Sequence, residues 1–336
     1  MKFQLESCVW ELTLACCFDC KHCGSRGGIA REGELSTQEC LRVVRQLQQL
    51  GCKRVSLIGG EVFMRQDWDT IAGALADCGI CVNLITNGFL LSEDSLKRLL
   101  SSKVDSISIS LDGSRQIHDK YRKKGSFECV REKVEILAQN DIPLSLVTTL
   151  NRQSAECLED MYAEIKEWGI EAWQLQACSP MGYAQNNRIE YAFDVQKVIR
   201  FVEEHVRKAP FLLGLADNIG YFTESEGYLR GNLSGEAVFA GCSAGITSIG
   251  IDSVGNVRGC QSMYDEYFVE GNLREKSLRE IWDSPESFAY NRKFQLDCLT
   301  GRCSACEAGG VCAGGCRSYN YFVHHKLYEA PFCAKK

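Results

Sequence analysis

The sequence predicts an α/β fold assembled from parallel β/α units, and three observations carry that expectation. Short apolar runs alternate with amphipathic helical stretches from Val9 to Gln176. The runs have strand length, the intervening stretches carry helix-start and helix-stop residues, and no tandem repeat or low-complexity tract interrupts the rhythm. That alternation suits a partial barrel and an open doubly wound sheet equally. In both, the loops at the carboxyl ends of the strands form the active face.

The first strand-like run is Val9–Leu14. Ser36 or Thr37, with Glu39 close behind, resembles a capping start for a helix that runs to Leu50 and is stopped by Gly51. Strand Arg54–Ile58 follows, then helix Trp68–Asp77, strand Val82–Ile85, helix Glu93–Leu100 and strand Val104–Ser110. Helix Phe127–Gln139, strand Leu144–Thr149, helix Ala155–Trp168 and strand Ala172–Gln176 complete six strands. Residues 186–235 break the pattern: a helix from Asp194 to Lys208 is followed by turns at Gly214, Asp217-Asn218, Gly227, Gly231-Asn232 and Gly235, read as a bridge. The expected division is 1–185, 186–235 and 236–336.

At 336 residues, 45% hydrophobic and 24% charged, the chain has the composition of a globular protein with room for a large core and a smaller module. A net charge of −6 leaves no basic stripe, so nucleic acid is not an expected partner. Met1–Glu6 has no apolar signal core and no apolar run reaches membrane-spanning length, so the expected location is cytoplasmic, with no membrane partner. Twenty cysteines in clustered spacings then read as metal sites rather than disulfides.

Cys16, Cys20 and Cys23 form C-x3-C-x2-C just after the first strand. An iron–sulfur cube has four irons, so three thiolates leave one iron open. Gly59-Gly60-Glu61 follows the second strand, where glycines permit close backbone approach and a carboxylate can pair with an ammonium. Thr86-Asn87-Gly88 ends the third strand; Ser110-Leu111-Asp112-Gly113, with His118-Asp119 and Arg122, follows the fourth. Each of these polar residues also suits an ordinary turn or cap. Together the motifs resemble the radical S-adenosylmethionine (SAM) enzymes, with His22 where that family usually carries an aromatic residue and Val62 in place of a common proline. The resemblance implies a partial (β/α)6 barrel and a SAM-binding 4Fe–4S cluster on Cys16, Cys20 and Cys23. It also implies a SAM pocket lined by Gly59, Gly60, Glu61, Asn87, Ser110, Asp112 and Arg122, Glu61 taking the amino group and Ser110 or Asp112 the ribose.

Cys178, in the loop after the sixth strand, is the unassigned thiol expected to meet substrate, as hydrogen-atom donor or cluster ligand; the plainer reading is a small hydrophobe at a rim. From Cys242 the cysteine density changes: Cys260 follows, then Cys303-x2-Cys306-x5-Cys312-x3-Cys316, and finally Cys333. This order resembles the SPASM domain, a smaller carboxyl-terminal iron–sulfur domain of radical SAM enzymes, and Gly271-Asn272-Leu273 through Trp282 resembles the segment joining its halves. The resemblance implies two auxiliary clusters, the nearer on Cys242, Cys260 and Cys316 and the farther on Cys303, Cys306, Cys312 and Cys333. The fourth position of the nearer cluster is left to Glu236, Cys298, another residue, substrate or water. The competing reading of the tail is zinc, which paired cysteines also bind.

The chemistry implied is reductive cleavage of SAM to a 5′-deoxyadenosyl radical, hydrogen removal from substrate, and loss of a further electron to an auxiliary cluster. A flavodoxin or ferredoxin type protein is the expected electron donor. SPASM enzymes mostly modify peptides and proteins, so the expectation is an oxidoreductase that crosslinks or cyclises a ribosomally made peptide. Gln261 stands where the sulfatase-maturing branch carries aspartate, which disfavours that branch. Only Met1–Cys8 precede the first strand, so leader recognition is expected from a separate protein or from docking on the bridge. The alternatives are a maturase of a small metabolite or tetrapyrrole, a peptide epimerase using Cys178 as hydrogen donor, and, outside enzymes, an iron–sulfur electron carrier or zinc module.

Overall fold

The computed structural model describes residues 3–216, 218–230 and 239–335. Its strands are β1 (Ser7–Glu11), β2 (Arg54–Ile58), β3 (Cys81–Thr86), β4 (Ser106–Ser110), β5 (Leu144–Leu150), β6 (Ala172–Ala177), β7 (Leu212–Leu215), β8 (Ser248–Ile251), β9 (Asn256–Arg258) and β10 (Gly271–Asn272). The main helices before β8 are α1 (Thr37–Gln49), α2 (Trp68–Asp77), α3 (Glu93–Ser101), α4 (Arg115–Tyr121), α5 (Ser126–Ala138), α6 (Arg152–Glu156), α7 (Leu158–Ile165), α8 (Gly182–Asn186) and α9 (Val195–His205).

The chain forms two compact units: Met1–Asp19, Ser25–Ser108 and Ser243–Lys293 in the first; Cys20–Gly24, Ile109–Cys242 and Phe294–Lys336 in the second. The boundary therefore cuts across the sequence-based segments.

In the first unit the order is β10-β9-β8-β1-β2-β3. β1 pairs parallel with both β2 and β8, while β8, β9 and β10 are antiparallel neighbours. Alternate residues Val55 and Leu57 of β2, and Val82 and Leu84 of β3, bury one face with Val43, Leu47, Ile71 and Leu75 of the helices. The α1 start is the capping box read from sequence: the Ser36 hydroxyl accepts from the Glu39 N–H and the Glu39 carboxylate accepts from the Ser36 N–H.

In the second unit β5, β6 and β7 run side by side in parallel. Leu146, Leu150, Trp173, Leu175 and Leu213 bury the core face with Val130, Leu137, Ile165 and Val202. β7 was not anticipated, because Leu212-Leu213-Gly214-Leu215 has no β-branched residue and contains a glycine. The helix expected over Ala155–Trp168 is instead α6 and α7, since the Asn151 side chain caps the N–H groups of Gln153 and Ser154 and so starts a separate turn.

Candidate active site and metal centres

In the first unit, β1 ends at Glu11 because the chain then turns beside β2: Leu12 N–H bonds Ile58 O (2.8 Å), Gly60 N–H bonds Thr13 O (2.7 Å) and Glu61 N–H bonds Ala15 O (2.7 Å). A Cβ on Gly60 would lie 2.3 Å from Leu14 O and 2.4 Å from Ala15 O. The glycines are thus required by close approach to the segment leading into Cys16, where sequence reasoning expected approach to a ligand. Glu61 is buried; its carboxylate accepts from the Thr86 hydroxyl (2.7 Å), the Asn87 N–H (2.8 Å) and the Phe63 N–H (3.2 Å). It thereby ties the ends of β2 and β3 together. Asn87 Nδ2 reaches Cys17 Sγ at 3.6 Å, and the Phe18 N–H donates to Cys16 Sγ at 3.4 Å. The Cys17 thiol hydrogen-bonded to Cys16, with burial, pushes Cys16 up, and the same contact lowers Cys17.

The second unit holds the rest of the cysteine loop. Lys21 N–H bonds Tyr121 O (2.8 Å), the Asn187 amide bonds Lys21 O (2.9 Å) and Tyr183 N–H bonds Cys23 O (2.8 Å). The amino end of α8 and the end of α4 therefore clamp Cys20–Gly24. Asp112, with 0% exposure, accepts from Thr149 N–H (2.9 Å), is ion-paired with Arg122 and lies 3.1 Å from His22 Nε2. Burial would raise Asp112, but Arg122 and His22 hold it far below the usual carboxylate range. Asp112 N–H donates to His118 Nδ1 (3.1 Å), and burial draws His118 down to about 4. Cys20 is pushed up to about 11 by burial, with Arg122 opposing. Ser110 ends β4 half-buried. Cys178 is buried just after β6, pushed up to about 12 by burial; the same Cys178 thiol raises both Tyr121 and Tyr319 beyond what their own burial does.

Cys303, Cys306, Cys312 and Cys333 converge in the second unit. Burial, then Cys333 and Cys303, push Cys312 up to about 11; burial raises Cys333, which also feels Arg302, Cys303 and Cys306. The Ala330 N–H donates to Cys303 Sγ (3.5 Å). Cys316 N–H bonds the buried Tyr221 hydroxyl (3.2 Å), and the following residue, Arg317, is wholly buried beside Cys242, Cys316 and Cys312. Cys260 is half-buried in the first unit, where a Cβ on Gly250 would lie 2.8 Å from its carbonyl carbon. Glu236 lies outside the described residues, and Cys298 is half-buried at the end of a short turn, Leu296–Cys298.

The donor sets fit iron–sulfur cubes, which take thiolate ligands: Cys303, Cys306, Cys312 and Cys333 act on one another in one place and supply four thiols.

One buried network escaped sequence reasoning. Glu11, 0% exposed, is ion-paired with Arg31 and accepts from the Tyr264 hydroxyl (3.0 Å), Ser253 N–H (3.3 Å) and Gln261 Nε2 (3.5 Å). It anchors the turn that carries Cys260. A carboxylate inside the apolar run Val9-Trp10-Glu11-Leu12 was the available signal.

Two family descriptions match the chain: the Radical SAM superfamily over residues 10–165, and the SPASM iron-sulfur cluster-binding domain over residues 242–307. The AdoMet-dependent heme synthase of Methanosarcina barkeri is 30% identical over 343 residues, covering 96% of this chain and 95% of that protein. Mycofactocin maturase MftC of Mycolicibacterium smegmatis is 29% identical over 324 residues, covering 94% and 78%. Among solved structures, Streptococcus suis SuiB bound to S-adenosylmethionine superposes with a TM-score of 0.78 at 19% identity, covering 99% of this chain and 78% of that one, which shows a shared open, parallel α/β fold. Among the described residues no helix is long and apolar enough to cross a membrane. With the cysteine loop, its clamp and the carboxyl-terminal thiol array in place, the chain belongs to the radical SAM superfamily, as a SPASM-domain enzyme that uses S-adenosylmethionine and 4Fe–4S clusters.

Proposed function

We propose that the enzyme oxidatively modifies a ribosomally made peptide by crosslinking or cyclisation. The observation that carries this is the character of the strand face opposite the helix-packed core. In the first unit, Ser56, Asn83, Ser106 and Ser108 share the register that alternates with the core residues, and both serine hydroxyls bond Asn83 Oδ1 (3.0 and 3.3 Å). In the second unit Ser145, Thr149, Gln174 and Gln176 share it, with Gln176 Nε2 bonding Thr149 Oγ1 (3.1 Å). Neutral donors and acceptors of this kind suit amide groups, whereas a tetrapyrrole with carboxylate side chains calls for fixed cations. Among the described strand residues of that register the cations are Arg54, at the amino end of β2, and Arg258 of β9, whose charge is already taken by its ion pair with Asp252.

Cys16, Cys20 and Cys23 would hold the SAM-binding cluster, Cys242, Cys260 and Cys316 the nearer auxiliary cluster, and Cys303, Cys306, Cys312 and Cys333 the farther. When bound and reduced, cluster and SAM supply homolytic carbon–sulfur cleavage and the removal of a substrate hydrogen. The chain's own part is to clamp the Cys20–Gly24 loop through α4 and α8, to hold Asn87 and the Gly59-Gly60 turn through Glu61, and to fix Arg122 beside Cys20 and Cys23 through Asp112. Gly59, Gly60, Glu61, Asn87, Ser110, Asp112 and Arg122 are assigned to the SAM pocket and its supporting network. A cytoplasmic location, a flavodoxin or ferredoxin type donor and a separate leader-recognition protein belong to the same reading.

A second reading, a heme-forming enzyme, is favoured by the 30% identity that extends over nearly the full length of both chains. One experiment separates them. Cluster-loaded enzyme, reductant and SAM are incubated with short peptides encoded beside its gene, and in parallel with an iron porphyrin precursor. Loss of hydrogen from a peptide in its mass spectrum supports the first reading; unchanged peptides with heme formed from the porphyrin overturn it.

A further inference from the structure

Arg317 starts the helix Arg317–His324, immediately after Cys316, and is 0% exposed. Its Nη1 donates only to neutral backbone carbonyls, Ala313 O (2.6 Å), Leu327 O (3.1 Å) and Gly315 O (3.2 Å). Its guanidinium lies over the rings of Tyr328 (4.5 Å to the centroid) and Phe294 (5.5 Å). Its Nε–H is buried with no hydrogen-bond partner among the described residues. Arg122, Arg258 and Arg230 have carboxylate partners, Asp112, Asp252 and Glu226, whereas none of the ion pairs among the described residues includes Arg317 or the less buried Arg292. A buried, unpaired cation is among the most costly features a fold can carry, and one with an orphan N–H is costlier still.

The ionisable groups placed against that charge are three thiols and the phenol of Tyr328, and a phenol stays neutral at ordinary pH. Cys242 and Cys316, assigned above to the nearer auxiliary cluster, and Cys312, assigned to the farther, are the cysteines that act on the guanidinium. Neutral thiols do not balance a cation; metal-bound thiolates do. We propose that Arg317 is a positioning residue of the auxiliary centres: its fixed charge stands against the thiolates of both cysteine sets, and its Nε–H donates to a cluster sulfur. A positive charge and a hydrogen bond at the sulfurs favour the more negative, reduced cluster, so Arg317 raises the potential of an auxiliary cluster and makes it a better electron acceptor in an oxidative reaction. The same charge leaves the metal-free tail destabilised until the clusters are bound.

The inference rests on the ligand assignment, which Cys316→Ala tests separately through loss of auxiliary-cluster iron. The test of Arg317 itself uses Arg317→Met, which keeps length and apolar bulk, and Arg317→Lys, which keeps the charge but loses the planar N–H. Redox titration followed by electron paramagnetic resonance (EPR) reads each cluster's midpoint, and thermal melts compare cluster-loaded with chelator-stripped protein. The expected result for Arg317→Met is a lower midpoint for an auxiliary cluster, an unchanged SAM-binding cluster, and opposite stability effects: destabilised when loaded, stabilised when stripped. Arg317→Lys should retain most of the wild-type midpoint. Unchanged auxiliary midpoints in both variants, or equal destabilisation of loaded and stripped protein by Arg317→Met, would overturn the proposal.

Discussion

Gly182→Ala should detach the cysteine loop from its clamp. Gly182 takes φ +57°, and a Cβ there would stand 2.2 Å from Gly24 O and 2.5 Å from Cys23 O, both backbone atoms with little freedom to yield. The left-handed conformation alone costs an alanine about 1–2 kcal/mol. Relieving the clash requires the start of α8 to withdraw by roughly an ångström, enough to break the bond from Tyr183 N–H to Cys23 O. Leaving that pair unsatisfied adds about 1–3 kcal/mol. The total, about 2–5 kcal/mol, is less than the usual stability of a folded domain, so the protein should fold with the loop displaced. Gly51→Ala is the control: its φ is +78° but nothing lies within 4 Å of the new Cβ, so it carries the conformational cost without the clash. The assay is iron content with EPR of anaerobically loaded protein. Gly182→Ala should lose the SAM-responsive signal and keep the auxiliary signals, with Gly51→Ala unaffected. Full retention of the SAM-responsive cluster in Gly182→Ala would show that α8 does not position the loop.

Three further outcomes follow from the buried groups of the second unit. Arg122→Gln removes the ion-pair partner of a fully buried Asp112 and should cost about 3–5 kcal/mol in denaturant unfolding, with Arg122→Lys costing less; a loss under 1 kcal/mol would contradict the pairing. His118 is held at about 4 by burial while an unfolded histidine titrates near about 6.5, so between those values the unfolded chain binds more protons. Its contribution is complete above pH about 6.5 and declines as pH falls toward about 4, by up to roughly 3 kcal/mol; His118→Asn should flatten the stability profile across that window, and an unaltered slope would refute the assignment. Cys178→Ala should leave reductive SAM cleavage intact, measured as 5′-deoxyadenosine by chromatography, because the thiol is buried beside Tyr121 and Tyr319 and belongs to no cluster set. Lost cleavage would make the thiol part of the SAM site.

Where a rule is local, the sequence was sufficient. Ser36 with Glu39 marked the start of α1, and Trp68–Asp77 is the helix expected from its periodicity. The spaced cysteines announced the metal chemistry because ligand geometry imposes spacing on the chain itself. What escaped depends on contacts distant in sequence. By sequence His118, Asp119 and Arg122 stand out as polar residues after the fourth strand, yet in α4 His118 accepts from the backbone of Asp112 and Asp119 caps the turn into α5. Glycines at 59 and 60 signal close approach to a ligand by sequence, and the fold shows the backbone of Thr13–Ala15 lying against them. Glu11 and Arg317 carry charge inside apolar surroundings, and no periodicity rule assigns partners to such groups.

The central claim, an iron near the amino terminus that three thiolates leave open for SAM, is tested most directly by EPR of the reduced Cys16→Ala/Cys20→Ala/Cys23→Ala triple variant with and without SAM, alongside wild type. The account predicts that wild type shows a cube signal altered by SAM and forms 5′-deoxyadenosine, and that the triple variant loses both while keeping its auxiliary clusters. Continued SAM cleavage by the triple variant would contradict it.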